Sequence, residues 1–121
     1  MKLEEYRKLI KSKKKNKFGA VACKRNGIRF HSKLERAYYD KLETAKHNGD
    51  LLFFLMQVPF KLPGNITYRM DFMEFWKPEN GDKNYKVVFT EIKGKLTEVS
   101  KIKMKQCCDM YKIDINVVYK V

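Results

Sequence analysis

Carboxylates lie in two segments rich in apolar residues in the middle of the chain. Asp71 lies within residues 69–75, and Glu91 lies within residues 87–93, which end at Lys93. If both segments are strands, side chains alternate between faces, so Asp71, and likewise Glu91 with Lys93, share a face with apolar residues. A carboxylate on a largely apolar face is costly unless it is paired, protonated or bound to a metal ion. These three residues are therefore the first candidates for chemistry.

A hairpin would bring the two segments together. The polar sequence between them contains Asn80-Gly81-Asp82, and a turn centred on Gly81 pairs positions whose numbers sum to 162. Directly paired residues have Cβ atoms about 4.5–5.5 Å apart. The predicted pairs are Asp71 with Glu91, Met73 with Phe89, and Phe75 with Val87.

Two carboxylates at that separation repel each other, so a cation must lie between them. A divalent cation with oxygen ligands meets this need, and Lys93 adds a fixed positive charge beside Glu91. The alternative is a salt-bridge cluster of Asp71, Glu91, Arg69 and Lys93 on a solvent-facing sheet. Spacing alone leaves both interpretations open.

The surrounding sequence predicts the elements that hold these residues. Ser32-Lys33-Leu34-Glu35 matches a capping box, which begins a helix that ends near His47. Glu35 therefore has two interpretations, as a helix cap or as a site residue. The other predicted elements are a hairpin over 18–30 with an Asn26-Gly27 turn, a buried strand over the apolar stretch 51–60, strands over 66–76 and 85–93, a helix from Thr97 to about Tyr111, and a strand over 114–119. This order predicts an α/β fold, a mixed β-sheet with helices packed on it.

The combination resembles the PD-(D/E)XK nuclease signature: Asp71, then Glu91-Ile92-Lys93 on the next strand, with Glu35 on a preceding helix. Met70 stands where that signature has its proline. More narrowly, the chain resembles a family of small phage-encoded endodeoxyribonucleases, often described as Holliday junction resolvases. The resemblance extends from about residue 18 to residue 118 and rests on the segments Gly27–Glu35, Gln57–Phe60, Tyr68–Phe72 and Glu91–Gly94.

The resemblance implies a restriction-endonuclease-like fold and Mg²⁺-dependent hydrolysis of branched DNA, with Mn²⁺ expected to substitute. Asp71, Glu91 and the Ile92 carbonyl would hold the metal ion, with Glu35 as a further candidate ligand. Lys93 would orient or activate the attacking water. Symmetric cutting of two strands needs two sites and hence a homodimer. The alternatives are another activity of the superfamily, such as a nicking or transposon-end nuclease, and a basic DNA-binding protein that does not cut.

The charge favours a polyanionic partner. Lys and Arg number 27 against 14 Asp and Glu, for a net charge of +13, and nucleic acid is the first candidate. An acidic membrane surface is the alternative, although only the first ten residues approach the amphipathic pattern it requires. We divide the chain into a basic N-terminal helix or arm, residues 1–17, and a nuclease domain, residues 18–121. The predicted DNA-contacting residues are Lys13, Lys14, Lys15, Lys17, Lys101, Lys105 and Gln57.

Several classes of protein have no support in the sequence. It contains no apolar run of about 18 residues and no visible secretory signal, so we expect a cytoplasmic protein, in the host cell if phage-encoded. The cysteines are odd in number, and Cys107 and Cys108 are adjacent without the spacing of a zinc site, so they are expected to be buried or half-buried thiols. The absence of a Gly-rich phosphate loop argues against a nucleotide cofactor.

Overall fold

The elements follow the order β-β-α-β-β-β-α-β in a computed structural model that describes residues 23–79 and 83–121. Their bounds are β1 Cys23–Arg25, β2 Ile28–Phe30, α1 Lys33–His47, β3 Leu51–Leu62, β4 Ile66–Trp76, β5 Lys86–Ile92, α2 Glu98–Tyr111 and β6 Ile115–Val118. The predicted basic segment 1–17 and residues 18–22 of the predicted hairpin lie outside the described residues. The mixed α/β fold predicted from the sequence is confirmed.

Local signals at the ends of the elements act as predicted. Asn26 and Gly27, with φ of 53° and 76°, join β1 to β2, and a two-residue hairpin turn of this kind needs positive φ at both positions. At the start of α1, the Ser32 hydroxyl accepts a hydrogen bond of 3.0 Å from the backbone N–H of Glu35. Thr97 caps α2 in the same way, through the N–H of Ser100 at 3.1 Å. Each cap satisfies a donor that the helix itself leaves free.

Strands β3 to β6 form one sheet in the order β3-β4-β5-β6. Strand β4 is antiparallel to both β3 and β5, whereas β6, which follows α2, lies parallel to β5. The predicted β4–β5 register is confirmed, because Met73 pairs with Phe89 and Phe75 with Val87. The third predicted pair, Asp71 with Glu91, is not part of this ladder, which begins one position away at Phe72 and Thr90.

Strand β3 contains the whole of the predicted strand 51–60 and continues to Leu62. The predicted burial of this stretch is wrong, because Leu52, Phe53 and Leu55 are 39%, 43% and 46% exposed. The physical reason is the place of β3 at the edge of the sheet, where a proline such as Pro59 also need not donate a ladder hydrogen bond.

Two hydrophobic clusters form the core. Helix α1 contributes Tyr38, Tyr39 and Leu42 to the first, and α2 contributes Cys107 to the second. Along β3 and β4, the paired residues Met56 and Phe72 belong to the first cluster, and the next pair in the register, Val58 with Met70, belongs to the second. Gln57 and Asp71 therefore lie at the boundary between the clusters.

The two cysteines whose surroundings are described match their prediction. Cys107 is fully buried and Cys108 is half-buried, and both thiols are free. Within residues 23–79 and 83–121, no helix is long and apolar enough to cross a membrane.

Candidate active site

Three elements bring the predicted residues together. Glu35 lies in the first turn of α1, Asp71 lies in the middle of β4, and Glu91 lies near the end of β5, with Lys93 just after it. Glu35 and Glu91 are only 6% and 4% exposed, and Asp71 is half-buried. The charges of Asp71 and Glu91 both raise the pKa of Glu35, so the three carboxylates act on one another.

Glu35 takes part in the helix cap through its backbone and in the carboxylate cluster through its side chain. Its backbone N–H serves the helix cap, while its side-chain Oε1 accepts a hydrogen bond of 3.4 Å from Nε2 of Gln57. Burial raises the pKa of Glu35 to about 7, and the charges of Asp71 and Glu91 add to this effect. Hydrogen bonds from the His31 backbone and from Gln57 act in the opposite direction. The cap thus uses the backbone of this residue and leaves its carboxyl group in the cluster.

Asp71 joins β4 to its neighbours on both sides through its side chain. Its Oδ2 accepts a hydrogen bond of 2.8 Å from the backbone N–H of Ile92 on β5. Its Oδ1 accepts one of 3.1 Å from Nε2 of Gln57 on β3. These two bonds connect the Asp71 carboxylate to both neighbouring strands, one position beyond the end of the β4–β5 ladder.

Glu91 is held by one neutral donor and one charged donor. The Tyr68 hydroxyl donates to Oε2 at 2.6 Å, and Nζ of Lys93 lies 3.2 Å from Oε1. Burial raises the pKa of Glu91, the bond from Tyr68 lowers it, the charge of Asp71 raises it and Lys93 lowers it, in that order of size. The alternative interpretation predicted a salt-bridge cluster on a solvent-facing sheet. One of its ion pairs, Lys93 with Glu91, is formed, but Glu91 is buried.

Sequence reasoning missed two polar groups of this sheet. Tyr68 is 6% exposed, and no periodicity singles out its contact with Glu91. Glu74 is 1% exposed and accepts hydrogen bonds from the Tyr38 hydroxyl at 2.7 Å and from the Trp76 indole at 2.9 Å. Strand alternation places Glu74 between Phe72 and Trp76, and that signal could have found it.

The site contains the types of oxygen ligand that a hard cation binds, but their side chains are not arranged around a common point. Carboxylate and carbonyl oxygens are the ligands that Mg²⁺ prefers. Within the described parts of the chain, however, no three carboxylate, imidazole or thiol groups are arranged as a ready metal-binding group. The Gln57 amide lies between Glu35 and Asp71, while Tyr68 and Lys93 hold Glu91. A cation at this site requires these side chains to exchange partners.

Other predicted residues lie elsewhere or cannot be placed. Lys101 and Lys105 are exposed on α2, and Lys101 pairs with Glu98 at 3.3 Å. A cavity of about 520 Å³ lies beside Glu74 and Trp76, and its lining contains none of the four predicted catalytic residues. Four predicted DNA-contacting residues lie outside the described residues: Lys13, Lys14, Lys15 and Lys17.

The architecture is that of a small mixed α/β domain with a buried carboxylate cluster at the sheet. The family model of DUF1064, described as a protein of unknown function, matches residues 15–121. The chain therefore belongs to the DUF1064 family. No curated protein and no solved structure matches it.

Proposed function

We propose that this protein is a Mg²⁺-dependent endonuclease that hydrolyses phosphodiester bonds of branched DNA, such as Holliday junctions, in phage recombination or replication. The observation that carries the proposal is the meeting of Glu35, Asp71 and Glu91 from one helix and two neighbouring strands, with Lys93 paired to Glu91. The order helix, three antiparallel strands, helix and parallel strand supports the restriction-endonuclease-like interpretation of the fold. A fold alone does not determine function, so the proposal is based on the residues of the site.

The residues divide the chemical roles among themselves. Asp71, Glu91 and the Ile92 carbonyl would hold Mg²⁺, with Glu35 as a further ligand and Mn²⁺ as a substitute. The metal ion supplies Lewis-acid stabilisation of the charge on the phosphate. Lys93 contributes a fixed cation next to the same phosphate, and Tyr68 keeps one oxygen of Glu91 in place. Phosphoryl transfer depends on such preorganised positive charge more than on covalent help.

The net charge of +13 fits a polyanionic substrate. Lys105 on α2 is exposed, and so is Lys101, and both can follow a phosphate backbone. The charge does not select branched DNA over linear DNA. That choice rests on the resemblance of the sequence to small phage-encoded endodeoxyribonucleases.

The decisive experiment is cleavage of labelled four-way junctions by the full chain, with Mg²⁺ or with EDTA. We expect Asp71→Asn and Glu91→Gln to abolish cleavage while junction binding persists, because each change removes a ligand charge without changing shape. Lys93→Ala should lower the rate by about 10²–10³, the usual cost of one preorganised electrostatic partner. Asp109→Asn, at an exposed position on α2, is the matched control.

The same assay separates the alternatives. Preferential cleavage of nicked or linear DNA over junctions would favour the alternative function, a nicking or transposon-end nuclease. Binding without Mg²⁺-dependent cleavage by the wild type would identify a DNA-binding protein that does not cut. Wild-type cleavage rates in both carboxylate variants would refute the site.

A homodimer is part of the proposal, because two symmetric cuts need two sites. An apolar sheet face supports it: Phe53 and Phe75 stack with ring centroids 4.2 Å apart, and Leu55 and Val87 are 46% and 40% exposed. By register, Phe53, Phe75 and Val87 form one row across β3, β4 and β5. Exposed apolar patches of this kind often mark protein contacts.

We expect Leu55→Lys to convert the dimer to a monomer in sedimentation velocity. Ile102→Lys, which changes another exposed apolar residue on α2, is the control and should leave the dimer intact. A wild-type protein that sediments as a monomer in the presence of junction DNA would contradict the dimer.

A further inference from the structure

Gln57 has an unusual backbone for a residue inside a strand. Its φ of 53° lies in the left-handed region, which is disfavoured for residues other than glycine. The other non-glycine residues with positive φ in the described chain lie in turns or at a helix end: Asn26, Asn65 and Lys112. Such strain persists where the surrounding structure imposes it, and it is enriched at functional sites.

The neighbouring pairing shows how local this distortion is. Met56 pairs with Phe72 and Val58 pairs with Met70, and both pairs obey one register. That register would place Gln57 opposite Asp71, but the ladder does not include this pair. The distortion therefore changes the direction of one side chain without shifting the strands.

The side chain of Gln57 enters the carboxylate cluster. Its amide nitrogen donates to Oδ1 of Asp71 at 3.1 Å and to Oε1 of Glu35 at 3.4 Å. Lys93 pairs with the third carboxylate, Glu91. The Gln57 amide therefore offsets part of the repulsion between Glu35 and Asp71.

A glutamine amide carries a donor and an acceptor on the same carbon. Rotation about the last side-chain bond exchanges the nitrogen for Oε1, which is a neutral oxygen ligand of the kind that hard divalent cations accept. We propose that Gln57 is a further metal ligand of this site, whose amide nitrogen bridges Glu35 and Asp71 without metal and whose amide oxygen faces the cation when it binds. The inference rests on the proposed function, because it assumes the cation site described there.

Calorimetric titration of the full chain with Mn²⁺, without DNA, tests this inference. Gln57→Ala removes the ligand and should weaken Mn²⁺ binding by about 10- to 100-fold, the usual effect of removing a residue that supports a metal site. Gln57→Glu retains an oxygen and should bind Mn²⁺ at least as tightly as the wild type. At pH 8, above the pKa of about 7 for Glu35, the metal-free Gln57→Glu protein should melt at a lower temperature than the wild type, because a third charge then faces Glu35 and Asp71. Gln106→Ala, at an exposed position on α2, is the control for both measurements.

Each outcome has a distinct meaning. Unchanged or tighter Mn²⁺ binding by Gln57→Ala would overturn the inference and make Gln57 a spacer between carboxylates. If Gln57→Ala fails to fold, Gln57→Glu decides, and weaker Mn²⁺ binding by that variant would equally overturn it. Absence of Mn²⁺ binding by the wild type would defeat the metal site of the proposed function, and this inference with it.

Discussion

The raised pKa of Glu35 predicts a pH-dependent stability that one substitution should remove. In an unfolded chain this carboxyl group titrates near 4.5, whereas burial and the charges of Asp71 and Glu91 raise its pKa to about 7 in the fold. The folded state therefore prefers the protonated form. Stability from this group is fully present below pH 4.5 and is lost as the pH rises through 7. The difference corresponds to about 3 kcal/mol of unfolding free energy.

Glu35→Gln keeps the shape of the side chain and leaves the backbone cap on Ser32 intact. In EDTA, urea unfolding between pH 4 and 8 should show equal stability of the two proteins at pH 4. At pH 8 the variant should be more stable by up to about 3 kcal/mol, or roughly 10 °C in melting temperature for a domain of this size. Glu91, whose pKa is also raised by burial, leaves a residual slope in the variant. Glu98→Gln, at an exposed position that begins α2, is the control. Parallel pH profiles for wild type and Glu35→Gln would refute the assigned environment of Glu35.

Two further predictions concern Glu91 and the N-terminal segment. Tyr68→Phe removes the 2.6 Å hydrogen bond to a buried carboxylate and should lower the free energy of unfolding by about 1–3 kcal/mol in urea denaturation, whereas an unchanged value would mean that the bond contributes nothing net. Deletion of residues 1–15 should flatten the dependence of DNA affinity on salt concentration, because lysine–phosphate contacts are lost, and an unchanged slope in a filter-binding or anisotropy titration would remove these lysines from the DNA interface.

Local sequence signals predicted most of the fold because each acts over a few residues. Short-range chemistry determines three kinds of feature: the Asn26-Gly27 turn, the helix caps at Ser32 and Thr97, and the β4–β5 register set by the connecting turn. The exposure of β3 could not be predicted in this way. Whether an apolar strand lies at the edge of a sheet or in its centre is a property of the whole topology.

The residues of the candidate site also differ in whether local sequence signals could reveal them. Asp71, Glu91 and Lys93 could be found because their charges break an apolar alternation that the sequence displays. Tyr68 could not, because a tyrosine in a strand is ordinary and its contact with Glu91 joins two strands that approach only in the fold. The assignment of Gln57 to DNA stays a prediction, while its contacts in the structure are with Glu35 and Asp71.

The position of the cluster at the core boundary explains how the strain at Gln57 can be maintained. On one side, Met56 and Phe72 are fixed in the cluster under α1, and on the other, Val58 and Met70 are fixed in the cluster under α2. Packing thus anchors β3 and β4 immediately before and after the distorted position, and the hydrogen bonds from the Gln57 amide to Asp71 and Glu35 lie between the two anchors. A site built at this point combines a rigid frame with polar side chains that are joined by hydrogen bonds and an ion pair. That combination suits a site whose side chains must exchange partners when a cation enters.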